Sequence, residues 1–283
     1  MTVQKKKIKV GRVITYVVIT LIGIIMLYPV LWLLSSSFKP ENIIFSEEGL
    51  WPSHFTLQNY IQGWHIIDGM SFGLFFKNSL IISSINVIAN LISCSMVAYA
   101  FARLNFPLKK LWFGCMLMTL MLPVHVTLVP QYAIFHYLGW INTFLPLTVP
   151  KFFATDAFFV FLLVQFIRGI PKELDESAIM DGCGIIRIYF KIVLPLAVPS
   201  LITTAIFSFI WTWDDFFSQM LYLNSTDKYT VTLGLKLFLD SSGNSEWGAM
   251  FAMSVLSILP ITIIFFFFQK YIVEGIATSG IKG

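Results

Sequence analysis

One segment of this 283-residue chain carries most of its candidate binding chemistry: Trp211-Thr212-Trp213-Asp214-Asp215-Phe216-Phe217-Ser218-Gln219. Indole faces can meet the C–H surface of a polyhydroxylated ring, and carboxylates and amides can pair with its hydroxyl groups. Trp211, Trp213, Asp214, Asp215 and Gln219 are therefore candidates for a solute path. Asn86 and Asn90 make a second, weaker polar stripe, four residues apart and so on one face of a helix. A bland reading stands beside both. Asp214 and Asp215 equally suit an outer membrane interface or a surface packed on another subunit. Asn86, Asn90 and Ser93 equally suit helix–helix packing.

The residues of catalysis are not arranged for it. The sequence holds no HExxH, no paired-cysteine metal spacing and no GxSxG elbow. Cys94, Cys115 and Cys183 form no CxxC pair, and an odd count offers no disulfide framework. They read as small buried side chains. His54, His65, His125 and His136 stand apart from one another. The run Gly275 to Lys282 differs from a P-loop, because no Ser or Thr follows its lysine and no strand precedes it. We expect no catalytic residue, no metal site and no ATP bound by this chain itself.

The elements that position these residues follow from composition. Hydrophobic residues make up 57% of the chain and charged residues 12%, against about 25% charged in a soluble domain. Mean hydropathy is +0.79. A soluble enzyme, a disordered protein and a disulfide scaffold are excluded. An all-α membrane protein remains. A bilayer core of about 30 Å needs about 20 residues per helix. The apolar runs predict six such helices, over residues 13–34, 75–101, 111–135, 145–168, 195–223 and 247–269. Pro29 predicts a kink in the first, and Pro123 and Pro130 break the regularity of the third. No small-residue cleavage pattern follows the first run, so it reads as an uncleaved span and not as a signal peptide.

Charge sets the orientation. Lys5, Lys6, Lys7, Lys9 and Arg12 cluster in residues 1–12, which reads as a cytoplasmic topology signal in contact with lipid headgroups and not as a nucleic-acid site. With that end inside, only Lys39, Lys77, Lys151, Lys228 and Lys236 of the 19 lysines and arginines fall outside. The expectation is one membrane domain over 13–270, a tail over 271–283, both termini cytoplasmic, and a multi-pass place in the cytoplasmic membrane.

The segment 169–194 is polar and short-helix-like. Pro171 suits a first helical position, and Glu173, Asp175 and Glu176 suit a helix N-terminus. Gly182 can take a left-handed conformation and end that helix. A second short piece, 185–192, leads into Pro195. Two short helices meeting at a bend on the cytoplasmic side can insert into a soluble partner, with Leu174 and Ala178 on one face.

Its residues Glu176-Ser177-Ala178, Asp181-Gly182 and Ile192-Val193-Leu194-Pro195 closely resemble the EAA loop of ABC importer permeases. That pattern is Glu-Ala-Ala, three residues, Gly, nine residues, then Ile-x-Leu-Pro. Ser177 in place of the first alanine is the one departure, small for small. The end of the chain, Tyr271-Ile-Val-Glu-Gly-Ile-Ala-Thr-Ser-Gly280-Ile-Lys282-Gly283, resembles the tail of the smaller permease subunit in maltose-type carbohydrate importers. The segment Ser37-Phe-Lys-Pro-Glu41 and the pair Asn59-Tyr60 are similar to the family as well. The resemblance implies a type I ABC importer permease fold and ATP-driven, binding-protein-dependent import of a carbohydrate, of oligosaccharide size. It implies a second homologous permease, two ATPase subunits that bind ATP and Mg, and an extracytoplasmic solute-binding protein. Glu176, Ser177, Ala178, Asp181, Gly182, Leu194 and Pro195 would couple to the ATPases, and Gly280, Lys282 and Gly283 would reach between them. The rival reading is an ion-driven secondary transporter or channel subunit. It would need gating carboxylates in several helices, where only Asp156, Asp214 and Asp215 are available.

Overall fold

The computed structural model describes residues 10–47, 49–65, 70–239 and 246–280. They are helical almost throughout and divide into two compact units, residues 1–66 with 238–256 and residues 67–237 with 257–283.

The first unit holds α1 (Val10–Ser36), α2 (Gln58–His65) and the start of a long last helix. From Ile14 to Ser36, α1 is apolar and buries none of its most hydropathic stretch, as expected of a face left for lipid or another subunit. The polar link after it is tightly tied. Lys39 is fully buried, and its ammonium donates to the carbonyls of Glu47 (3.0 Å) and Gly49 (2.7 Å). The Asn59 amide donates to the carbonyls of Ser37 (2.9 Å) and Lys39 (2.8 Å). The Glu41 carboxylate accepts the N–H groups of Trp247 (2.8 Å) and Gly248 (2.7 Å), which caps the last helix where its first donors lack partners. A side chain at Gly248 would press a Cβ to 2.6 Å from the Asn59 oxygen. Residues 37–41 and 59 are thus structural fasteners of one loop.

The second unit is built on α3 (Phe72–Arg103), 32 residues without a proline and with its one glycine in the first turn. At 1.5 Å per residue it is about 48 Å long, well beyond a bilayer core. The serines and asparagines of the expected second span are buried on it, apart from Ser84, against its helical neighbours. Next come α4 (Lys109–Thr119) and α5 (Val124–Tyr137). These occupy the expected third span, yet each alone is about 16–21 Å long, short of a crossing. The break at 120–123 has a local cause. Leu122 donates to Thr119 in a tightened last turn, and Pro123 has no N–H to continue the ladder.

The fourth expected span begins with a helical turn, Leu145–Thr148, and a 3-10 stretch, Val149–Phe153. It resumes after left-handed Ala154 as α6 (Ala157–Gly169). Then come α7 (Glu173–Met180), a broken helix over Ile185–Leu196, and α8 (Val198–Trp213), the last two bent by 76° at Ala197. The expected fifth helix therefore stops at Trp213. The chain turns at 214–216 and forms α9 (Phe217–Tyr222). The expected polar loop 224–246 contains α10 (Val231–Lys236), whose Gly234 lies so close to Phe75 that a Cβ would sit 2.3 Å from the ring. The last helix, α11 (Trp247–Gly280), runs 11 residues beyond the expected end of the sixth span. Four helices, or five with the bent pair, are long and apolar enough to cross a membrane among the described residues. α6 and α8 pack against α3, and an apolar core gathers Cys94, Ala98, Leu163, Val164 and Val193.

Candidate functional site

The elbow forms from local signals. Glu173, Asp175 and Glu176 occupy the first turn of α7, and each is worth about 0.3–1 kcal/mol against the helix dipole. The helix closes in a Schellman motif. Gly182 adopts φ +78°, its N–H donates to Ile179 O (2.9 Å), and Cys183 N–H donates to Ala178 O (2.9 Å). Glu176, Ser177, Asp181 and Gly182 are exposed, with the Ser177 hydroxyl turned back to Glu173 O (2.8 Å). Ala178 points the other way, 6% exposed, into the core of the same unit, so only a small side chain fits beneath the elbow. Leu174, at 43%, is exposed as expected, and the most exposed apolar groups of the elbow are Met180 at 87% and Ile186 at 74%. Leu194 is half-buried and Pro195 exposed, in the turn that bends into α8.

A cavity of ≈ 870 Å³ opens within the second unit between α3, α5, α6, α8 and α9. Of the candidate path residues it gathers Asn86, Asn90, Trp211, Asp215 and Gln219. Trp211 stacks at 5.1 Å on Phe159 and stays half-exposed. The Asn86 amide donates to Thr212 Oγ1 (3.2 Å), and its buried oxygen has no hydrogen-bond partner among the described residues. The buried Tyr222 hydroxyl, also on the wall, lacks one too. Unpaired buried polar atoms are rare; both belong to residues that line the cavity, although the atoms themselves are shielded from it. Asn90 donates to Asp156 (2.8 Å) and Ser208 (2.9 Å).

Two placements depart from the sequence expectation. Trp213 does not line the cavity. It is 2% exposed, stacks on Phe209 at 5.4 Å and donates from Nε1 to Ser257 O (3.1 Å), because it lies two residues round the helix from Trp211. Asp214 is exposed and ends α8 away from the cavity wall. Gln219 borders the cavity but its amide is engaged, donating to Thr212 O (3.0 Å) and accepting from Thr230 and Thr232. The sequence reading also missed the ion pair on this wall, Lys151–Asp156 at 2.8 Å. Opposite charges five residues apart in an apolar stretch were the available signal. Tyr222, Trp140 and Ser208 gave none. In the tail, α11 reaches Gly280, while Lys282 and Gly283 lie outside the described residues. No group of three or more His, Cys, Asp or Glu side chains able to hold a metal occurs among the described residues.

Residues 91–278, two thirds of the chain and all of its elbow, match the family described as the binding-protein-dependent transport system inner membrane component. The chain belongs to this family. The permease is 32% identical over 279 residues to the probable ABC transporter permease protein YurM of Bacillus subtilis (strain 168), covering 99% of this chain and 91% of that protein. It is 34% identical over 270 residues to the arabinooligosaccharides transport system permease protein AraQ of Halalkalibacterium halodurans, covering 93% of each. It is 31% identical over 284 residues to the trehalose/maltose transport system permease protein MalG of Thermococcus litoralis, covering 96% of this chain and 97% of that one. A crystal structure of a bacterial ABC transporter involved in the import of the acidic polysaccharide alginate shares its fold, with TM-score 0.81 at 21% identity over 96% of this chain and 99% of that chain. The permease is a multi-pass protein of the cell membrane, an inner membrane component of a binding-protein-dependent transport system.

Proposed function

We propose that this permease is one of two related membrane subunits of an ATP-driven importer of carbohydrate, of oligosaccharide size. The observation that carries the substrate class is the set of relatives named for arabinooligosaccharides and for trehalose and maltose, at 31–34% identity over more than nine tenths of the chain. The cavity supports it, because Trp140 and Trp211 line it together with Asn86, Asn90 and Asp215, residue types suited to the C–H faces and hydroxyls of a sugar. Asn86, Asn90, Trp211 and Asp215 line the path in this reading, with the Lys151–Asp156 pair on its wall.

The chain crosses the membrane six times in this proposal, α4 and α5 together making the third crossing, and both termini are cytoplasmic. The lysine and arginine bias supports that orientation. The elbow then faces two ATPase subunits, which bind ATP and Mg and cover Met180 and Ile186. Glu176, Ser177, Asp181 and Gly182 lie at that interface, and the tail ending in Lys282 and Gly283 reaches between the ATPases. A second homologous permease completes the channel, and an extracytoplasmic binding protein delivers the solute.

The test is uptake of labelled oligosaccharides by cells lacking the chain and complemented with it. Glu176→Lys reverses a charge on the exposed face of α7 and is expected to abolish uptake while the protein still inserts. Uptake at the wild-type rate by that variant contradicts the assignment of the elbow.

A further inference from the structure

Three side chains on α3, each four residues from the next, face the elbow and hold both of its arms. Ser95 shares a hydrogen bond with the Tyr189 hydroxyl (2.7 Å). Tyr99 donates to Ile185 O (3.1 Å). Arg103, at the last position of α3, places Nε 3.0 Å from Asp175 Oδ2 and donates from Nη2 to Ile170 O (2.8 Å). The spacing puts all three on one stripe of the helix. They bind residues before, within and after α7, so the elbow is tied to α3 at both its ends. The same α3 carries Asn86 and Asn90 on the cavity wall, about 20–25 Å from Arg103 along an unbroken helix.

The Arg103–Asp175 contact has an unusual feature. Arg103 is 4% and Asp175 14% exposed by side chain, and Arg103 Nε and Nη1 and Asp175 Oδ1 are buried without a hydrogen bond among the described residues. The pair is thus held by charge at 3.0 Å with no aligned hydrogen bond, while guanidinium and carboxylate favour two parallel bonds. A two-armed contact needs Nη2, which is engaged at Ile170 O, so a shift of α7 against the end of α3 would exchange one Nη2 partner for the other. Arg103 therefore has two competing partners for Nη2, Ile170 O and the Asp175 carboxylate, and a choice between partners is what a coupling element needs.

We propose that the Ser95–Tyr99–Arg103 stripe is a latch that passes movement of the elbow to the cavity wall, with Arg103 the positioning residue that acts through Asp175. The inference rests on the importer reading for the source of the movement, but the latch itself is a property of this chain.

The test uses the chain purified with the subunits that accompany it, in lipid nanodiscs. A cysteine is placed at Leu122 on the cavity wall, in a background without Cys94, Cys115 and Cys183. Maleimide labelling at Leu122→Cys reads the wall, and hydrogen exchange over residues 173–185 reads the elbow, each with and without Mg-ATP and vanadate. With Arg103 in place, nucleotide trapping is expected to change both. In R103Q the elbow still responds to nucleotide while the response at the wall falls about tenfold, the size of a typical coupling free energy. The charge-swapped R103D/D175R restores it, and D175N, which leaves Arg103 its bond to Ile170, reproduces R103Q. A merely structural Arg103 would lower both responses together and would not be rescued by the swap; that result overturns the proposal, as does full transmission in both R103Q and D175N. If no nucleotide-binding subunit accompanies the chain, the importer reading fails and coupling fails with it. The latch is then judged by elbow exchange alone, faster in R103Q and D175N if it exists and unchanged if it does not.

Discussion

Gly182 is the position at which one added methyl group tests the elbow most cleanly. Its φ of +78° lies in the left-handed region, and a Cβ built there would meet nothing within 4 Å. Gly182→Ala therefore introduces no clash, only a backbone penalty of about 1–2 kcal/mol for an L-residue in that conformation. The penalty falls on the Schellman closure, the two bonds from Gly182 and Cys183 to Ile179 and Ala178. An increment of this size multiplies the open fraction of the α7 terminus by about 5–30. Hydrogen exchange over residues 178–186 of the purified protein should accelerate by the same factor, because exchange there follows local opening. Gly182→Asn should cost less than alanine, since asparagine visits this region more readily, and Gly182→Val more. Equal exchange in the glycine, alanine and valine forms would refute the claim that a left-handed cap sets the elbow.

The two tryptophans of the 211–213 segment should separate. Trp213→Ala empties a buried site and should cost about 3–5 kcal/mol, seen as a lowered melting temperature in detergent, whereas Trp211→Ala should chiefly reduce solute uptake. The reverse pattern would place the path on the wrong face of α8. Acid should loosen the link that follows α1 through Glu47. Desolvation raises its pKa, but the bonds from Ser53 and the charge of Lys39 together outweigh it, so the carboxyl sits below its ordinary value. A depressed pKa contributes stability that is complete above the ordinary value near 4.5 and is lost as pH falls through the lower folded value. The dependence of melting temperature on pH below about 5 should therefore flatten in Glu47→Gln, and an unchanged profile would count against the contact.

What the sequence made legible was local. The cap at Gly182, the acidic first turn of α7 and the interruption at Pro123 each depend on a few neighbouring residues, and each is where those residues put it. The six apolar runs were legible by length, but their interiors were not. The break at Ala154 depends on a left-handed backbone that no side chain signals, whereas the one at Ala197 lies between Pro195 and Pro199, and α10 is too short for a period to show. The inward face of Ala178 was hidden for another reason. A small residue at an elbow reads equally as a partner's docking point or as room for the chain's own Tyr189 and Ile188, and only the packing decides. The cavity was half legible: Trp211, Asp215, Asn86 and Asn90 declared themselves by type, the Lys151–Asp156 pair was signalled by its spacing and missed, and Tyr222 reaches the wall only through the fold. Trp213 and Asp214 share the residue types of their neighbours but not their direction.

The central claim is that this chain works as one membrane subunit of an ATP-driven importer. It is tested most directly by recovering the tagged chain from membranes in mild detergent and identifying what accompanies it. The account predicts a second, related permease and an ATPase with a Walker motif, near one, one and two copies. Recovery of this chain alone, as a stable monomer or homo-oligomer with ion-dependent transport, would contradict it.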